Sequence, residues 1–388
     1  MRTRFLLLLI SACCVGSSGC DMAASRQQAA RLAADKARLA EQRAMAEHAA
    51  KQSQEAKLDP QAEQAAQALT QAGARLEQAT NKPVVGADLK GIEVNDELAE
   101  KLSQLTRLEK LSIEKSVMTL AGWQLLAKLA NLQQLDLRDC PLDNEQLTAA
   151  VSGMPKLKAL RLSGKSGSTT VDDTGLVVVS KCPELRVLAI DDLWVTTAGL
   201  QPVSSCSKLQ ELYAGGTPID DEAAKEIVKL PALKKLRLSR TGIGIAALET
   251  LSQLPLEDLD ISEASGVNDE SMLAVGKMKS LKRLNLWRDT VSEVGAAQLA
   301  GMTALEWLNL DNTHINDEAL PHLSGLTKLT FLHLGSTAVT DAGMHHLVTL
   351  KALKDLKVTR TAVTEEGVQV IREAVPGIAI QLKYIEGE

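Results

Sequence analysis

Aromatic side chains are scarce in this sequence of 388 residues: two Phe, two Tyr and four Trp make up 2% of the chain. Hydrophobic residues of all kinds nevertheless make up 45%, and Leu and Ala are abundant. A chain of this length and hydrophobic content is able to bury a substantial core in one or two domains. That core must be aliphatic, because the sequence has too few rings to fill it.

Cysteine and histidine patterns typical of metal sites are missing as well. No two cysteines form a CxxC motif, and the six histidines form no HExxH or comparable ligand spacing. These absences exclude a disulfide-rich scaffold and a zinc module, so we expect no metal ion and no cofactor. The six cysteines are Cys13, Cys14, Cys20, Cys140, Cys182 and Cys206.

The sequence also lacks the motifs of common enzymes and the charge of a nucleic-acid binder. It contains no GxSxG, Walker or dinucleotide-binding glycine motif, and no paired acids or nucleophile–base set stands out. The formal net charge is −6, and loss of Arg2 and Arg4 would leave 41 basic against 49 acidic residues, or −8. An acidic chain lacks the basic surface that binds phosphate backbones. We therefore expect a non-enzymatic protein that does not bind nucleic acid.

The amino terminus has the pattern of an export signal. Arg2 and Arg4 precede a mostly apolar segment over residues 5–16, which is shorter than the roughly 20 residues that a membrane-spanning helix needs. The following SSGC, residues 17–20, resembles a bacterial lipobox, in which small residues precede a lipidated cysteine. This resemblance implies a signal peptide over residues 1–19 and a lipid anchor at Cys20.

Two alternatives remain for this segment. ISAC, residues 10–13, also fits the lipobox pattern and would place the lipid on Cys13, although the leader that ends before Cys20 has the more ordinary length. The other alternative is an ordinary secretory leader without lipid. The favoured interpretation is an exported protein held on a membrane of the bacterial cell envelope, with the choice between inner and outer membrane left open.

Residues 20–82 are expected to form an α-helical stalk. Residues 22–57 consist largely of the strong helix formers Ala, Gln, Arg, Lys and Glu, without Gly or Pro. Pro60 interrupts this pattern, and a second helical segment is predicted from Gln61 to about Thr80. The few large apolar residues do not sustain a heptad repeat, which favours a polar stalk over a coiled coil.

The rest of the chain, residues 83–388, is an array of short repeats. The motif LxxLxL begins at residues 108, 132, 157, 185, 209, 233, 256, 281, 305, 329 and 353, mostly at intervals of 24. A weaker copy starts near Val84 and a degenerate one at Ile378. The longest interval contains a polar insertion over residues 165–168, which is typical of a loop. Eleven repeats between two atypical caps are therefore predicted.

Each repeat changes from a strand period to a helix period, as in TKLTFLHLGSTAVTDAGMHHL, residues 327–347. The two inner leucines of LxxLxL lie on one side of a short strand, because the side-chain period of a strand is two. A polar pair such as Asn316-Asp317 or Thr340-Asp341 then starts a short helix. Between them we expect a turn residue, which is Cys140 in one repeat. The Thr residues expected at this turn are Thr217, Thr241, Thr290, Thr313, Thr337 and Thr361.

The consensus LxxLxLxxTxVTDxGLxxLxxL resembles the leucine-rich repeat family in its 24-residue bacterial form, with Thr where many members carry Asn. The resemblance implies an α/β solenoid: a horseshoe with a parallel sheet on its concave side and short helices on its convex side. The helical stalk would precede this domain. The family commonly binds proteins or other macromolecules through the concave face.

Residues that flank the core leucines are expected on that concave face. Four of the eight aromatic residues occupy such positions, three of them in consecutive repeats. Aromatic residues edged by Asn, Asp and Arg are typical of binding hot spots, although rings on a strand also pack on their neighbours. The candidate partner-binding residues are Tyr213, Arg283, Asn285, Trp287, Trp307, Asn309, Asp311, Phe331 and His333. Trp123 and Trp194 are expected off this face, in the helix-side core and in a turn.

The main functional hypothesis is a non-enzymatic cell-envelope protein that binds a protein partner through the concave face. A scaffold that self-associates through its stalk and a glycan-binding module are the alternatives, since Trp with Asn and Asp also suits sugar rings. Cys182 and Cys206 lie 24 residues apart in a column of apolar positions. They are expected to be buried thiols, with a disulfide between them as the alternative.

Overall fold

The computed structural model describes residues 59–383. The expected signal peptide, its Cys13 and Cys20, and most of the expected stalk lie outside these residues. The question of self-association through the stalk therefore lies outside them too. Residues 60–383 belong to one compact unit that begins at Pro60.

Fourteen strands form a single sheet in the order in which they occur along the chain. Strands β1 and β2 are antiparallel, and every following pair is parallel. The strands are β1 (Arg75–Glu77), β2 (Gly86–Val94), β3 (Lys110–Ser116), β4 (Gln134–Asp136), β5 (Ala159–Ser163), β6 (Val187–Asp191), β7 (Glu211–Tyr213), β8 (Lys235–Arg237), β9 (Asp258–Asp260), β10 (Arg283–Asn285), β11 (Trp307–Asn309), β12 (Phe331–His333), β13 (Asp355–Lys357) and β14 (Ala379–Gln381).

From β2 onward, short helices connect successive strands, so each repeat is one coil of strand, turn and helix. The α-helices are Pro60–Gln71, Asp96–Gln104, Leu120–Leu126, Asn144–Val151, Thr197–Val203, Ala224–Ile227, Ile245–Leu251, Met272–Val275, Glu293–Ala296, Leu320–Leu323, Asp341–Met344 and Glu365–Ala374. The 3-10 helices are Gly175–Lys181, Asp221–Ala223, Ala297–Gly301, Asp317–Ala319 and His345–Thr349. In residues 59–383, none of the helices combines the length and the apolar character that crossing a membrane requires.

The core lies between the sheet and the helices and runs the length of the array. Leu308 on β11 pairs in register with Leu284 on β10 and Leu332 on β12, and all three are completely buried. The coil length of about 24 residues brings equivalent leucines side by side, so neighbouring coils share one aliphatic interior. The α/β solenoid predicted from the repeats, with its sheet on the concave side, is confirmed.

Threonine hydroxyl groups close the turn that follows the strand in five of the repeats. In five repeats the Thr Oγ1 donates a hydrogen bond of 2.6–2.7 Å to the backbone carbonyl oxygen three residues earlier. This local bond explains how Thr is able to hold the turn at this position. The five residues are Thr217, Thr241, Thr313, Thr337 and Thr361. At Cys140 the thiol instead lies 3.1 Å from the carbonyl oxygen of Ile113 in the preceding coil.

Thr290 does not occupy the predicted turn position. Counting from Leu286, the last core leucine of its repeat, the buried turn residue is Asp289, with 3% of its surface exposed. Thr290 follows it, is exposed, and donates to the carbonyl oxygen of Val267 in the preceding coil. Thr290 directly precedes the buried Val291, whereas Thr313 and Thr337 stand two positions before their buried Ile315 and Val339. The shift by one position is therefore visible in the sequence.

Burial makes Asp289 an unusual residue for this position. One carboxylate oxygen accepts a hydrogen bond of 3.2 Å from the Ala264 amide, while the other is buried without a partner among the described residues. Burial is the main reason that the pKa of Asp289 rises to about 8, and the nearby charges of Asp260 and Glu263 act in the same direction. This carboxyl group is therefore largely protonated in the folded protein at neutral pH.

The polar pair at each helix start has two separate tasks. Its first residue caps the helix: the side chains of Asp220, Asn316 and Thr340 each accept a hydrogen bond from an amide in the first turn. Its second residue, an Asp, joins neighbouring coils. The Asp317 carboxylate accepts hydrogen bonds from both the amide and the hydroxyl of Thr340, at 2.8 and 2.6 Å.

This two-point contact recurs along the convex side at 2.6–2.8 Å. The other pairs are Asp96 with Thr119, Asp173 with Thr196, Asp269 with Ser292, and Asp341 with Thr364. The same Asp carboxylate of the preceding coil also explains why the TDxG motif contains a glycine. A Cβ added at Gly343 would overlap with Asp317 Oδ1 and would lie 2.6 Å from Leu320 Cδ1. The glycine is thus required by the close approach of the preceding coil.

The first described helix, Pro60–Gln71, is a cap on the solenoid and differs from the expected stalk. Its Ala65 and Leu69 are completely buried, and the chain then forms β1 against β2. The second helical segment, expected to reach about Thr80, ends at Gln71, and the compact unit begins at Pro60 rather than at residue 83. A terminal coil needs such a cover, since its apolar face and strand edge would otherwise meet water.

The three described cysteines, Cys140, Cys182 and Cys206, are buried free thiols. Burial raises the pKa of Cys182 to about 11, so the group stays protonated. The expectation that Cys182 and Cys206 fill the core is confirmed. Trp123 is completely buried, as expected, but Trp194 is 77% exposed, so its predicted packing in a turn is wrong.

We expect Asp317→Ala to lower the free energy of unfolding by about 1–3 kcal/mol, since Thr340 loses two hydrogen bonds to a charged group. Gly343→Ala is expected to cost a similar amount through overlap with the same carboxylate. In the double variant the added methyl group meets only the movable end of Leu320. The two effects should therefore sum to less than their separate values, as measured by urea denaturation.

Glu318→Ala is the matched control for this cycle, because it removes an exposed carboxylate next to Asp317. It should change the stability by no more than about 0.5 kcal/mol. Strictly additive effects of Asp317→Ala and Gly343→Ala would contradict the contact between neighbouring coils.

Asp289 predicts a pH dependence of stability. The unfolded chain ionises this carboxyl group near its ordinary pKa of 3.8, whereas the folded protein holds the proton up to about pH 8. The contribution of Asp289 to stability should therefore fall as the pH rises from about 4 to about 8 and stay constant above that. The Asp289→Asn variant, which cannot ionise, should remove this pH dependence from a plot of melting temperature against pH. Asp289→Thr should do the same and raise stability at pH 8, while Glu270→Gln, at an exposed position, should leave the profile unchanged.

Candidate partner-binding surface

Eight of the nine predicted binding residues lie together on three neighbouring strands and the turns that follow them. The register aligns Arg283, Trp307 and Phe331 in one row across the sheet. Asn285, Asn309 and His333 form the next row. We call this surface the aromatic patch, which consists of Arg283, Asn285, Trp287, Trp307, Asn309, Asp311, Phe331 and His333.

A stack of three flat groups forms the first row of the aromatic patch. The Trp307 and Phe331 rings are nearly parallel, with an angle of 5° between their planes and 4.8 Å between their centroids. On the other side of Trp307, the guanidinium carbon of Arg283 lies 3.4 Å from the centroid of the indole ring. Neighbouring strands are about 4.8 Å apart, so identical positions in successive repeats place rings at stacking distance. Asp258, 3.7 Å from the guanidinium group, holds Arg283 from the opposite side.

A ladder of side-chain amides forms the second row. Asn309 Nδ2 donates to Asn285 Oδ1 at 3.0 Å, and Asn285 Nδ2 donates to Asp260 Oδ1 at the same distance. The amide oxygens also accept bonds from the backbone amides of Trp287 and Asp311, at 3.3 and 3.0 Å. These bonds determine the orientation of both amide groups and join three coils. The floor of the aromatic patch is therefore rigid before any partner binds.

A depression of about 500 Å³ lies beside this ladder, at the carboxyl ends of the strands. Trp287, Asp311 and His333 contribute to its lining, together with Arg288 and Arg360 from the following turns. His333 Nε2 is 3.9 Å from the Asp311 carboxylate. Burial lowers the pKa of His333 below its ordinary value despite this carboxylate, so the imidazole is mainly neutral at pH 7.

Tyr213 does not belong to the aromatic patch. It lies on β7, three strands from β10, which corresponds to about 14 Å at the usual strand spacing. Its hydroxyl group donates to Glu211 at 2.7 Å, and the guanidinium carbon of Arg237 is 4.9 Å from the centroid of its ring. Burial is the main reason that the pKa of Tyr213 rises above its usual value, and the Glu211 contact adds to it.

Trp307 presents its edge rather than a free ring face. Trp307 is covered on one face by Arg283 and on the other by Phe331, which lie on opposite neighbouring strands. Trp287 has the guanidinium carbon of Arg288 at 5.4 Å from its ring centroid. Sugar recognition by stacking needs an open ring face, so this arrangement does not favour the glycan-binding alternative at Trp307.

The sequence prediction missed the most exposed tryptophan. Trp194 stands between the buried residues Leu193 and Val195, just as the exposed His314 stands between Thr313 and Ile315. Alignment of these two turns would have placed the indole ring outside the core. Arg288 was also missed, since it follows the strand and only the fold brings it onto Trp287.

No group of three or more His, Cys, Asp or Glu side chains within residues 59–383 has an arrangement suited to a metal ion. The chemistry of the aromatic patch is thus that of ring edges, amides, guanidinium groups and carboxylates. These groups suit noncovalent recognition of another molecule.

Comparison with known proteins shows the fold. No protein-family model and no curated protein sequence matches the chain. Among solved structures, an internalin from Listeria monocytogenes is similar, with 16% identity, a TM-score of 0.58, and coverage of 83% of this chain and 94% of that one. A leucine-rich repeat protein from Leptospira interrogans has 19% identity and a TM-score of 0.47 over 72% of this chain and 80% of its own.

The internalin match spans nearly the whole of that structure and most of this chain. At this level of identity the match is evidence for the fold and not for a shared activity. It agrees with the sheet, the register and the buried leucines described above. The protein therefore has a leucine-rich repeat fold, with its candidate binding surface on the concave sheet.

Proposed function

We propose that this chain is a non-enzymatic, membrane-anchored protein of the cell envelope that binds a protein partner through the aromatic patch. The observation that carries the proposal is the partly exposed stack of Arg283, Trp307 and Phe331 on the concave sheet. In this chain the core is aliphatic and aromatic residues amount to 2%. Rings placed in consecutive repeats on the outer face of the sheet are thus not needed to fill the interior.

The composition of the aromatic patch supports a protein partner. Trp and Arg are the residue types most enriched among those whose truncation weakens protein–protein binding. Here the two lie against each other, with Asp258 and Asp311 nearby to form charged or hydrogen-bonded contacts at the margin. A partner that covers the ring edges would remove apolar surface from water while the carboxylates and amides remain available to its polar groups.

The rigidity of the surface also supports this function. The stack and the Asn ladder hold the side chains in place before binding, so a partner would immobilise few additional groups. Association then costs less conformational entropy than it would on a mobile loop. The concave sheet is continuous across all strands, which leaves room for a larger partner around the aromatic patch.

The membrane anchor rests on the amino-terminal sequence alone. SSGC at residues 17–20 and the short apolar segment before it support lipidation of Cys20. Acyl chains contribute about 0.8 kcal/mol for each buried CH₂ group, so two or three chains suffice for stable attachment. The compact unit begins at Pro60, and residues 20–59 would connect it to the lipid.

Loss of either ring of the stack should weaken partner binding. We expect Trp307→Ala and Phe331→Ala each to weaken binding by at least about thirtyfold, the effect typical of central hot-spot residues. The partner would first be captured from envelope extracts with the immobilised full chain and identified by mass spectrometry. Its affinity for each purified variant would then be measured by calorimetry.

Trp194→Ala is the matched control, because it removes an equally large ring that lies outside the aromatic patch and is 77% exposed. This variant should bind the partner as the unaltered chain does. A partner retained by both patch variants but lost with Trp194→Ala would show that the aromatic patch is not the binding surface.

Lipidation predicts a defined mature amino terminus. Mass spectrometry of the membrane fraction should find a peptide that begins at Cys20 and carries acyl chains. Cys20→Ser should move the protein to the aqueous fraction, while Cys13→Ser should leave it on the membrane. The reverse result for the two variants would assign the anchor to Cys13, and an unacylated terminus would contradict a lipid anchor.

A further inference from the structure

A second cavity, of about 380 Å³, lies at the other end of the concave face, against strands β1 to β5. We call it the amino-terminal cavity. Strand β5 is five strands from β10, about 24 Å at the usual spacing, so this cavity is separate from the aromatic patch. Its lining includes the cationic side chains of Arg75, Lys90, Lys110 and Arg161.

Three of these cations have no ion-pair partner. Within residues 59–383, the charged groups of Arg75, Lys90 and Arg161 form no salt bridge or hydrogen bond. Elsewhere on the concave face the arginines are paired: Arg283 with Asp258 at 3.7 Å, for example, and Arg288 with Glu263 at 3.0 Å. The cations of the amino-terminal cavity are therefore distinctive in a protein whose net charge is −6.

The carboxylates near these cations are already engaged. Glu77 is 2.9 Å from Lys110, and Asp136 is bound by Arg138 at 2.7 Å. Glu211, which interacts with Arg161 at longer range, is 2.9 Å from Lys235 and accepts a bond from Tyr213. Only Asp88 remains in the lining without a cation, and it accepts the backbone amide of Lys90 at 3.1 Å.

The floor of the cavity offers space and a hydrogen-bonding group. Gly86 has no side chain, and the Glu77 side chain occupies part of the space that one would fill. A Cβ added at Gly86 would lie 2.8 Å from Glu77 Cδ. Ser112 contributes to the lining of the cavity, and its hydroxyl oxygen is buried without a hydrogen-bond partner in the described part of the chain. A buried polar group without a partner is costly, and a ligand that accepts its hydrogen bond would relieve that cost.

We propose that the amino-terminal cavity binds an acidic peptide segment, whose carboxylates pair with Arg75, Lys90 and Arg161. These cations lie on β1, β2 and β5, so they span up to four strand spacings, or about 19 Å. A single phosphate or carboxylate cannot reach all of them. Alternate side chains of an extended peptide are roughly 7 Å apart, so four acidic residues at every second position extend over about 21 Å and cover this span.

The experiment uses the full chain and a fluorescein-labelled peptide of alternating Glu and Ala, with fluorescence anisotropy as the readout. We expect binding that weakens as salt is added, because Arg75 and Lys90 are exposed to solvent and Arg161 is partly exposed. Arg161→Ala and Lys90→Ala should each weaken binding roughly tenfold, the effect of losing one charge-assisted hydrogen bond. Arg161→Lys should retain part of the affinity.

Two controls test whether binding depends on the position of the cations in the protein and on the charge of the peptide. Lys277→Ala removes an exposed cation from a convex-side helix connection and should leave binding unchanged. A labelled peptide of alternating Gln and Ala should not bind. Equal binding of both peptides, or equal losses with Lys277→Ala and Arg161→Ala, would overturn the proposal, provided that circular dichroism shows every variant to be folded.

Inorganic phosphate distinguishes a peptide site from a general anion site. Phosphate at a concentration that supplies as many anionic groups as the peptide should displace the peptide only weakly. One phosphate ion cannot contact all three cations at once. Displacement as effective as that by unlabelled peptide would overturn the peptide assignment. Trp307→Ala should leave acidic-peptide binding unchanged even if partner capture by the aromatic patch fails, so the two proposals are tested independently.

Discussion

Burial of one aliphatic interior by neighbouring coils is the constraint on which the rest of this structure depends. A single coil contributes a strand of only about three residues and a short helix, too little to cover its own leucines. Leu308 is buried only because Leu284 and Leu332 lie beside it at the same position of the adjacent coils. The same alignment of neighbouring coils forms the hydrogen bonds between parallel strands and the Asp–Thr contacts on the convex side.

The registration that buries the leucines also builds the outer surface. Side chains that alternate with the core residues form rows across the sheet, and their spacing equals that of the strands. Arg283, Trp307 and Phe331 are 24 residues apart in sequence, yet they form one continuous stack. The aromatic patch is thus a direct consequence of the coil length, and the chemistry of the concave face varies along the solenoid. Ion-paired arginines and rings occupy one end, while unpaired cations occupy the other.

Departures from the repeat are the most informative positions of the chain. Asp289 replaces Thr in a buried turn, Trp194 replaces a small residue in an exposed one, and the helix Pro60–Gln71 replaces the first coil. Each breaks a rule that the neighbouring coils obey. Asp289 titrates in the neutral range because its position suits a hydroxyl group rather than a carboxylate. These positions give individual repeats chemical properties that the other repeats lack.

The sequence alone determined the period, the identity of the buried leucines and the face on which Trp307 and Phe331 lie, because a strand of period two and a coil of 24 residues specify which side each position faces. Only the tertiary structure decided which groups meet between coils. The contact of Asp317 with Thr340 and Gly343, the covered faces of Trp307, the exposure of Trp194 and the cavity at Arg75, Lys90 and Arg161 all depend on distances between distant residues. A one-dimensional pattern contains no such distances, and packing of the coils sets them.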